Sequence, residues 1–235
     1  MPQKLCCEVL GLIDHGERVY SVLLKPERPA PRFSPGQFLH LALDPYRPGD
    51  FWPDSRVFSI ASSPAERSNL RITYAVKGAF TTRMEAELAV GREVWVKLPY
   101  GEFTIIDDSG VCLLAGGTGI TAFTAFLSAL TAEERRRIDL FYGARHPELL
   151  VYRPLVQEAA SRCPALHAHF LAEQNLNGAD CLRGCLDMDT IGGLIRDPVA
   201  AVYYLSGPPA MLSALQRELA EQGVTPKRIR VDAWE

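Results

Sequence analysis

The stretch Val111-Cys-Leu-Leu-Ala-Gly-Gly-Thr-Gly-Ile-Thr121 is the part of this chain around which the rest can be arranged. Its apolar half, Val111 to Ala115, has the length and aliphatic character of a strand that is buried on both faces. Three glycines follow, and from Thr121 apolar residues recur at helical spacing, which predicts a tight turn into a helix. Backbone N–H groups at the start of such a helix attract phosphate. The spacing G-G-x-G matches neither the G-x-G-x-x-G fingerprint nor a Walker loop, so a turn without a ligand stays open as an alternative.

The composition is that of an ordinary globular protein. Of 235 residues 47% are hydrophobic, and 25 basic against 28 acidic side chains give a net charge of −3. The basic residues form no cluster, so no nucleic-acid partner is expected. The longest apolar runs fall short of the roughly 20 residues that span a bilayer, and the N-terminus carries charges where a signal peptide is hydrophobic. We therefore expect a cytoplasmic protein without a membrane span.

The cysteines do not suggest a disulfide framework or a metal site. Cys6 and Cys7 are adjacent and cannot readily bridge to each other, and Cys112 lies inside the predicted buried strand. Three residues separate Cys181 from Cys185, but no second pair or nearby histidine completes a set of four ligands. We expect no bound metal and interpret the cysteines as structural or surface thiols, with the role of Cys181 and Cys185 left open.

Two kinds of secondary-structure pattern divide the chain. Up to residue 105, six short segments rich in β-branched and aromatic residues predict a barrel or a sandwich, and one helix is expected over Thr81–Ala89. From residue 106, strands alternate with helices, which is typical of a parallel sheet. The longest helices are expected over residues 121–137 and 210–223. The predicted domains are therefore residues 1–105 and 106–235, with the boundary between Thr104 and Ser109.

Five short motifs follow one another in order along the chain: PGQF (35–38), RVFS (56–59), KGAFTT (77–82), GGTGI (116–120) and SGPPAM (206–211). Each is weak alone, but together they resemble the ferredoxin–NADP reductase superfamily, and the size resembles its single-chain flavin and ferredoxin reductases. The resemblance covers nearly the whole chain. It implies an antiparallel six-stranded FAD-binding barrel, then a parallel-sheet NAD(P)-binding α/β domain whose C-terminal tail returns to the flavin.

Two of the five motifs correspond to the flavin site of the superfamily. Arg56 has the planar fork that suits a cofactor phosphate, although an ion pair with Asp54 would explain it equally well. Phe58 offers a flat apolar face where relatives usually carry tyrosine, and the resemblance places the hydroxyl of Ser59 near flavin N5. The glycine and threonines of KGAFTT suit a pyrophosphate, or form an ordinary helix cap. The resemblance thus implies a flavin site made of Arg56, Val57, Phe58, Ser59, Tyr74, Val76, Gly78, Ala79, Phe80, Thr81 and Thr82.

The nicotinamide nucleotide corresponds to the other two motifs and to the C-terminus. GGTGI would hold its pyrophosphate, and SGPPAM would bracket the nicotinamide, with Ser206 in the hydride-transfer site where many relatives have cysteine. Trp234 resembles the C-terminal aromatic residue that covers the flavin in relatives, and a Trp packed elsewhere is the alternative. The resemblance implies a nucleotide site made of Gly116, Gly117, Thr118, Gly119, Ile120, Arg145, Glu173, Gly207, Pro208 and Met211. Ser59, Ser206 and Trp234 would serve the hydride transfer itself.

The choice of cofactor depends on the residues after the strand HAHFLAE. NADPH-selective relatives place Ser and Arg there, whereas this chain has Glu173 and Gln174, and a carboxylate repels a 2′-phosphate. We therefore predict NADH rather than NADPH, with Arg145 as a phosphate ligand or a partner of Glu148. FAD is favoured over FMN as the flavin.

The resemblance implies a reductase that passes electrons from NAD(P)H through FAD to an external acceptor. The chain lacks the C-x4-C-x2-C spacing of an intrinsic iron–sulfur cluster. The acceptor would be a ferredoxin, an oxygenase component, free flavin or a ferric chelate. A flavin subunit of a larger complex and a non-catalytic nucleotide sensor remain alternatives. Three roles stay open for the loop from Asp44 to Ser55: it covers the adenine end of FAD, it contacts a partner, or it is a packed surface loop.

Overall fold

The computed structural model describes residues 2–107, 109–176 and 178–232. The chain divides into two compact units, Met1–Thr104 and Ile105–Glu235. In the described residues no helix is both long and apolar enough to cross a membrane. Each unit has a sheet of its own.

The first unit is built on one antiparallel sheet of six strands, as predicted. Alternation of buried and exposed positions produces it: in the first strand Leu5, Cys7 and Val9 face the core, with solvent-facing residues between them. Its strands in order across the sheet are β4–β3–β6–β1–β2–β5. They span β1 Gln3–Asp14, β2 Val19–Pro26, β3 Phe38–Ala42, β4 Ser55–Ser59, β5 Leu70–Ala75 and β6 Glu93–Tyr100.

The edge strands β4 and β5 approach each other, so the sheet curls into an almost closed barrel. The ring centroids of Phe58 on β4 and Tyr74 on β5 lie 6.0 Å apart. Just beyond β4, the N–H of Ala61 donates to the carbonyl of Arg71 at 2.8 Å. No ladder of backbone hydrogen bonds joins β4 to β5 in the described part of the chain. The predicted barrel is therefore present with one open seam.

The helix of the first unit, α1 (Ala79–Glu87), begins and ends two residues earlier than the predicted Thr81–Ala89. Gly78 is the N-cap, and Thr81 is the third residue of the helix. The Thr81 hydroxyl accepts from the N–H groups of Lys77 (2.9 Å) and Gly78 (3.1 Å), and so closes the first turn from inside. The prediction of Thr81 as the capping residue was wrong because threonine here supports the turn from position N3, as in a capping box.

The second unit is a parallel sheet of six strands with helices between them, as predicted. The order of the strands is β10–β9–β8–β7–β11–β12. They are β7 Val111–Gly116, β8 Ile138–Ala144, β9 Leu166–Ala172, β10 Leu182–Arg183, β11 Val202–Ser206 and β12 Ile229–Val231. The helices are α2 Thr121–Ala129, α3 Arg153–Arg162, α4 Met188–Ile191 and α5 Pro209–Glu221. Every residue of β7, β8 and β11 is buried.

Two elements of the second unit differ from the prediction. Helix α2 ends at Ala129 instead of continuing to residue 137, because Leu130 adopts an extended conformation (φ −62°, ψ 139°). The following Arg136 bonds to Glu134 and donates to the carbonyl of Asp107 at 2.7 Å, which holds this charged segment outside a helix. Strand β10 was not predicted, because two residues are too few to show a periodicity.

Candidate functional site

The second unit has a crevice where the strand order reverses. From β7 the chain proceeds to β8 on one side, whereas β11 pairs with β7 on the other side. Ala115 and Ser206 are register partners, so the loops after β7 and β11 leave the same edge of the sheet side by side. Ligands of open parallel sheets bind at such a reversal, outside the carboxyl ends of the strands. The motifs GGTGI and SGPPAM therefore meet at one crevice.

Three glycines let these loops pack against each other. A Cβ atom on Gly119 would lie 2.3 Å from the carbonyl oxygen of Ser206. A Cβ atom on Gly116 would lie 2.5 Å from the sulfur of Met211 and 3.0 Å from Pro208. Gly207 approaches Gly116 from the opposite loop in the same way. These glycines are needed where the two loops touch. The expectation was that the whole motif GGTGI binds a phosphate.

Gly117 is the glycine that faces open space. Its φ is +55°, which disfavours L side chains, and a Cβ atom there would meet no atom within 4 Å. Gly117–Ile120 forms a 3₁₀ turn that runs directly into α2, so the helical stretch begins before the predicted Thr121. The first N–H groups of this stretch belong to Gly117, Thr118 and Gly119. The open side of Gly117 thus provides the approach that a nucleotide pyrophosphate needs, and this part of the crevice fits that group.

Ser206, at the end of β11, is bonded to a carboxylate that was not predicted. Ser206 is 4% exposed, and its hydroxyl donates to Oδ2 of Asp232 at 3.0 Å. The N–H of Asp232 donates to the carbonyl of Leu205 at 2.9 Å and holds the carboxylate beside the strand end. The position of Asp232, two residues before Trp234, could have suggested it. Trp234 itself lies outside the described residues.

Arg145 and Glu173 lie at the same sheet edge, after β8 and β9. The N–H groups of Glu173 and Gln174 donate to the carbonyls of Ala144 (3.3 Å) and Arg145 (2.9 Å). Both Arg145 and Glu173 are exposed. The loops carrying them are also joined by the side chains of His146 and Asn175, whose nitrogen atoms lie 3.2 Å apart. Sequence reasoning missed this second pair. The arrangement places a cation and an anion within one exposed pair of loops.

In the first unit, Phe58 and Tyr74 lie at the open seam of the barrel. Phe58 is half-buried and its ring is tilted by 59° to that of Tyr74. Phe58 opposes Leu39, whereas Ser59 opposes Phe38, so Phe58 and Ser59 project from opposite faces of β4. Burial raises the pKa of Tyr74 well above its usual range, so its phenol is neutral at physiological pH. The seam therefore offers an apolar ring face with a hydroxyl at the end of the strand.

Arg56 and Ser59, on the same strand, have side chains available for a ligand. Arg56 is exposed, and within residues 2–107, 109–176 and 178–232 it makes no ion pair or hydrogen bond through its guanidinium. The alternative ion pair with Asp54 does not occur there. The hydroxyl of half-buried Ser59 likewise has no hydrogen-bond partner among those residues. Val57, between them, opposes His40 on the outer face of the sheet.

The turn into α1 separates the predicted phosphate residues into two groups. The N–H of Thr82 donates within the helix, to the carbonyl of Gly78, and the ring of Phe80 is buried in the core. The N–H groups of Ala79 and Phe80 belong to the first turn of the helix, where no intrahelical acceptor exists. A Cβ atom on Gly78 would meet nothing within 4 Å, so this turn also fits a phosphate group. Val76 precedes the turn and packs at the edge of the core.

The loop from Asp44 to Ser55 is packed against the first unit. Asp44 forms an ion pair with Arg83 of α1, and Tyr46 contacts Trp52 and Trp95 with ring centroids 5.4 and 5.5 Å apart. The middle of the loop, residues 47–51, is exposed, and Phe51 has 99% of its surface exposed. These contacts are those of the packed-loop alternative, with one exposed aromatic residue.

The cysteines of the described part are all free thiols. Cys181 accepts a hydrogen bond from Arg153 at 3.3 Å. The pKa of Cys185 is raised, mainly by burial and to a smaller extent by the charges of Glu173 and Asp187. Among the described residues no group of three His, Cys, Asp or Glu side chains could hold a metal ion.

Comparison with known proteins gives three consistent results. Residues 113–217 match the family model of the oxidoreductase NAD-binding domain. The chain is 30% identical, over 220 residues, to the reductase component DmpP of phenol 2-monooxygenase from Pseudomonas sp. strain CF600, covering 88% of this chain and 58% of that relative. The chain thus spans little more than half the length of the curated relatives it matches.

Two solved structures share the fold over almost the whole chain. The cytochrome P450 reductase GcoB of Amycolatopsis superposes with a TM-score of 0.83 at 24% identity, covering 99% of this chain and 70% of that one. The flavohem-like FAD/NAD binding domain of a nitric oxide dioxygenase from Vibrio cholerae O1 biovar El Tor gives a TM-score of 0.82 at 18% identity, covering 97% of both chains. This second match shows that each of the two units has a known fold.

Proposed function

Because this chain belongs to the ferredoxin–NADP reductase superfamily, we propose that it is a flavoprotein oxidoreductase that uses NADH, holds FAD and delivers electrons to an external acceptor. One observation carries this proposal: a single chain contains a barrel seam with an available arginine and aromatic face, and a parallel sheet with a nucleotide crevice at its strand reversal. Neither feature alone distinguishes a reductase from a simple binding protein.

The residues of the first unit would hold the flavin. Arg56 and the first N–H groups of α1 would bind its phosphates. The guanidinium is a cation, and the N–H groups carry a partial positive charge and have no acceptor within the helix. Phe58 would supply the apolar surface for the ring system, and Tyr74 with Val76 would complete that wall. Ser59, whose hydroxyl projects from the opposite face at the strand end, would hydrogen-bond the edge of the ring. These assignments favour FAD over FMN because two separate anion sites are present.

The residues of the second unit would hold the nicotinamide nucleotide. The open side of Gly117, with Thr118, would receive the pyrophosphate, while Gly116, Gly119 and Gly207 keep the two crevice loops in contact. Ser206 and Asp232 would form the polar end of the crevice. Pro208 and Met211 would shape its wall, and Ile120 is buried beneath the turn.

The chemistry of such a site comes from the bound cofactors, which carry hydride and single electrons. The side chains of this chain bind, orient and polarise. Asp232 fixes the Ser206 hydroxyl in one direction, because a carboxylate only accepts hydrogen bonds at neutral pH. The apolar residues Phe58 and Tyr74 exclude water from one side of the barrel seam. Positioning of this kind, rather than acid or base catalysis by a side chain, is the contribution that the described residues support.

NADH is proposed as the electron donor on the basis of Glu173. Its exposed carboxylate would accept a hydrogen bond from a ribose hydroxyl and would repel a 2′-phosphate. Arg145 lies on the neighbouring loop and bears the opposite charge, so the selectivity depends on the balance of the two.

The proposed acceptor is an oxygenase component or its small electron carrier. The relative from Pseudomonas is the reductase component of phenol 2-monooxygenase, which supports this class of acceptor. Because that relative is one component of a monooxygenase, the second candidate is a role as the flavin-bearing subunit of a larger electron-transfer assembly.

Purification and anaerobic titration test the proposal. We expect a yellow protein whose extracted flavin is FAD, and whose visible absorption is bleached by stoichiometric NADH. Turnover with ferredoxins, oxygenase components, free flavins and ferric chelates then identifies the acceptor. A colourless protein that does not bind added FAD or FMN would contradict the proposal, and binding without reduction by NADH or NADPH would leave only a sensor function.

A further inference from the structure

The turn between β1 and β2 has an unusual backbone conformation. Glu17 and Arg18, its two central residues, have φ values of +47° and +59°. The turn is closed by hydrogen bonds between His15 and Val19 and between Val19 and Gly16, each 2.9 Å long. Tight hairpin turns of this kind favour asparagine and glycine, because both central residues occupy the left-handed region. A long charged side chain at the second position therefore suggests a purpose other than forming the turn.

Arg18 makes two separate sets of contacts. Its guanidinium forms a fork on the carboxylate of Glu85 in α1, with Nε at 3.1 and 3.2 Å and a terminal nitrogen at 2.5 Å from the carboxylate oxygens. Its backbone carbonyl accepts a hydrogen bond of 3.0 Å from the N–H of Val76, just after β5. The hydroxyl of Tyr20 donates to the same Glu85 carboxylate at 3.1 Å. Hydrogen bonding by Arg18 lowers the pKa of Glu85, so this carboxylate is charged at neutral pH.

These contacts enclose one segment of the chain. Residues 76–85, here called the phosphate segment, contain the turn at Gly78, the first turn of α1 and the N–H groups of Ala79 and Phe80. Val76 is its first residue and Glu85 its last. Arg18 thus contacts both ends of the phosphate segment, one through the backbone and the other through the side chain.

We propose that Arg18 is a positioning residue that fixes the phosphate segment in the geometry required to bind the flavin pyrophosphate. This inference rests on the proposed function, because it assigns the phosphate segment to the flavin. The side chain of Arg18 is 56% exposed, so as an isolated surface ion pair it would contribute little to the stability of the fold. Its effect is expected on ligand affinity, where pre-organisation of a binding segment avoids the loss of entropy on binding.

Replacement of Arg18 by glycine separates the two possible roles of the residue. Glycine accepts positive φ without steric cost, so Arg18→Gly improves the turn while it removes the contact with Glu85. If Arg18 only forms the turn, the variant binds FAD as the wild type does. If Arg18 positions the phosphate segment, the variant binds FAD more weakly even though the flavin-free protein unfolds at the same or a higher temperature.

The experiment uses the full-length chain after removal of bound flavin, with FAD and riboflavin as probes in fluorescence titrations. Arg18→Gly and Glu85→Ala are each expected to weaken FAD binding by about three- to tenfold. The double variant is expected to bind FAD no more weakly than either single variant, because both remove the same contact. Riboflavin, which lacks phosphate, should bind equally to all four proteins.

Several results would overturn the inference. Unchanged FAD affinity in Arg18→Gly would do so, as would additive losses in the double variant or an equal loss for riboflavin. Tyr20→Phe, which removes one hydrogen bond to Glu85, provides a milder variant should Glu85→Ala fold poorly, and it must weaken FAD binding without changing riboflavin binding. A wild-type protein that binds neither flavin contradicts the proposed function itself, and so is distinguishable from failure of the role of Arg18.

Discussion

The hydroxyl of Ser206 donates to the carboxylate of Asp232 across 3.0 Å, at the carboxyl end of β11. Ser206 is almost fully buried, whereas Asp232 is half-buried, so this bond is partly shielded from solvent. A buried polar group that loses its partner costs about 1–3 kcal/mol, whereas removal of both partners costs less. The pair therefore has a testable energetic signature.

We expect Asp232→Ala and Ser206→Ala each to destabilise the protein, Asp232→Ala by about 1–2 kcal/mol because it leaves a buried hydroxyl without an acceptor. The double variant should be less destabilised than the sum of the two, with a coupling free energy of about 1 kcal/mol. Urea unfolding of the four proteins measures this cycle. Strict additivity would show that the bond contributes nothing.

Stopped-flow reduction by NADH of the flavin-loaded variants should be slower than in the wild type, by about tenfold for Asp232→Ala.

Gly117 should be required for nucleotide binding because it has no side chain, and not only because of its backbone conformation. Gly117→Ala places a methyl group at φ +55° in the open crevice, which costs about 1–2 kcal/mol of stability and obstructs the pyrophosphate. Gly223→Ala is the matched control, since Gly223 also has a positive φ (+87°) and nothing within 4 Å of its Cβ position, but lies after α5. Both variants should lose similar stability in thermal unfolding. Only Gly117→Ala should raise KM for NADH, and an equal rise in both would contradict the assignment.

Arg56 should contribute strongly to flavin affinity. A charge-assisted hydrogen bond to a phosphate is worth about 1.5–3 kcal/mol, so Arg56→Ala should weaken FAD binding by roughly ten- to a hundredfold. Arg56→Lys should restore part of that loss because a lysine keeps the charge but not the fork. Arg32→Ala removes another exposed arginine of the first unit and should leave the affinity unchanged. Equilibrium titration with FAD measures all three, and equal affinities for wild type and Arg56→Ala would exclude Arg56 from the site.

Glu173 should set the preference for NADH. Glu173→Gln removes the repulsion of a 2′-phosphate and should raise the ratio of kcat/KM for NADPH to that for NADH by about five- to tenfold. Glu148→Gln removes a carboxylate from the neighbouring loop and serves as the control for a general effect of charge. Steady-state kinetics with both nucleotides decides the matter. A wild type that already prefers NADPH would show that Arg145, rather than Glu173, dominates.

The stability of the second unit should depend on the ionisation of Glu134. Hydrogen bonds from Arg136 lower the pKa of Glu134 to about 2, so its stabilising contribution is complete above its usual pKa of 4.5 and is lost as the pH falls towards 2. Glu134→Gln should therefore be less stable than the wild type at pH 7, by about 1 kcal/mol for a partly exposed pair. The difference should shrink between pH 4.5 and pH 2. Denaturant unfolding at pH 7 and pH 3 measures it, and a constant difference would contradict the ion pair.

Sequence patterns predicted the architecture well because both sheets have strong periodic signals. The alternation in β1 and the unbroken apolar runs of β7 and β8 are direct consequences of one-sided and two-sided burial. Element ends were less predictable. The end of α2 depends on Arg136, whose bond to the Asp107 carbonyl joins residues 29 positions apart, and no local pattern contains such a contact.

The candidate sites likewise contain some residues that the sequence identified and others that only the structure identified. Motif residues such as Arg56 and Gly117 were recognisable from residue type and order. Asp232 had only its position near Trp234 to suggest it, and His146 and Asn175 become meaningful only when the fold joins their loops. The separate roles of the glycines in GGTGI also require the structure. Gly119 meets a carbonyl from a loop almost 90 residues away, and Gly117 does not, although both look alike in sequence.

The open seam between β4 and β5 has a consequence for handling the protein. No ladder in the described structure pairs the facing edges of these two strands, and unpaired strand edges are templates for strand exchange between molecules. A cofactor seated on Phe58 and Tyr74 would shield them. Flavin supply during expression should therefore govern the yield of soluble monomer, with the flavin-starved chain accumulating as intermolecular β-aggregates.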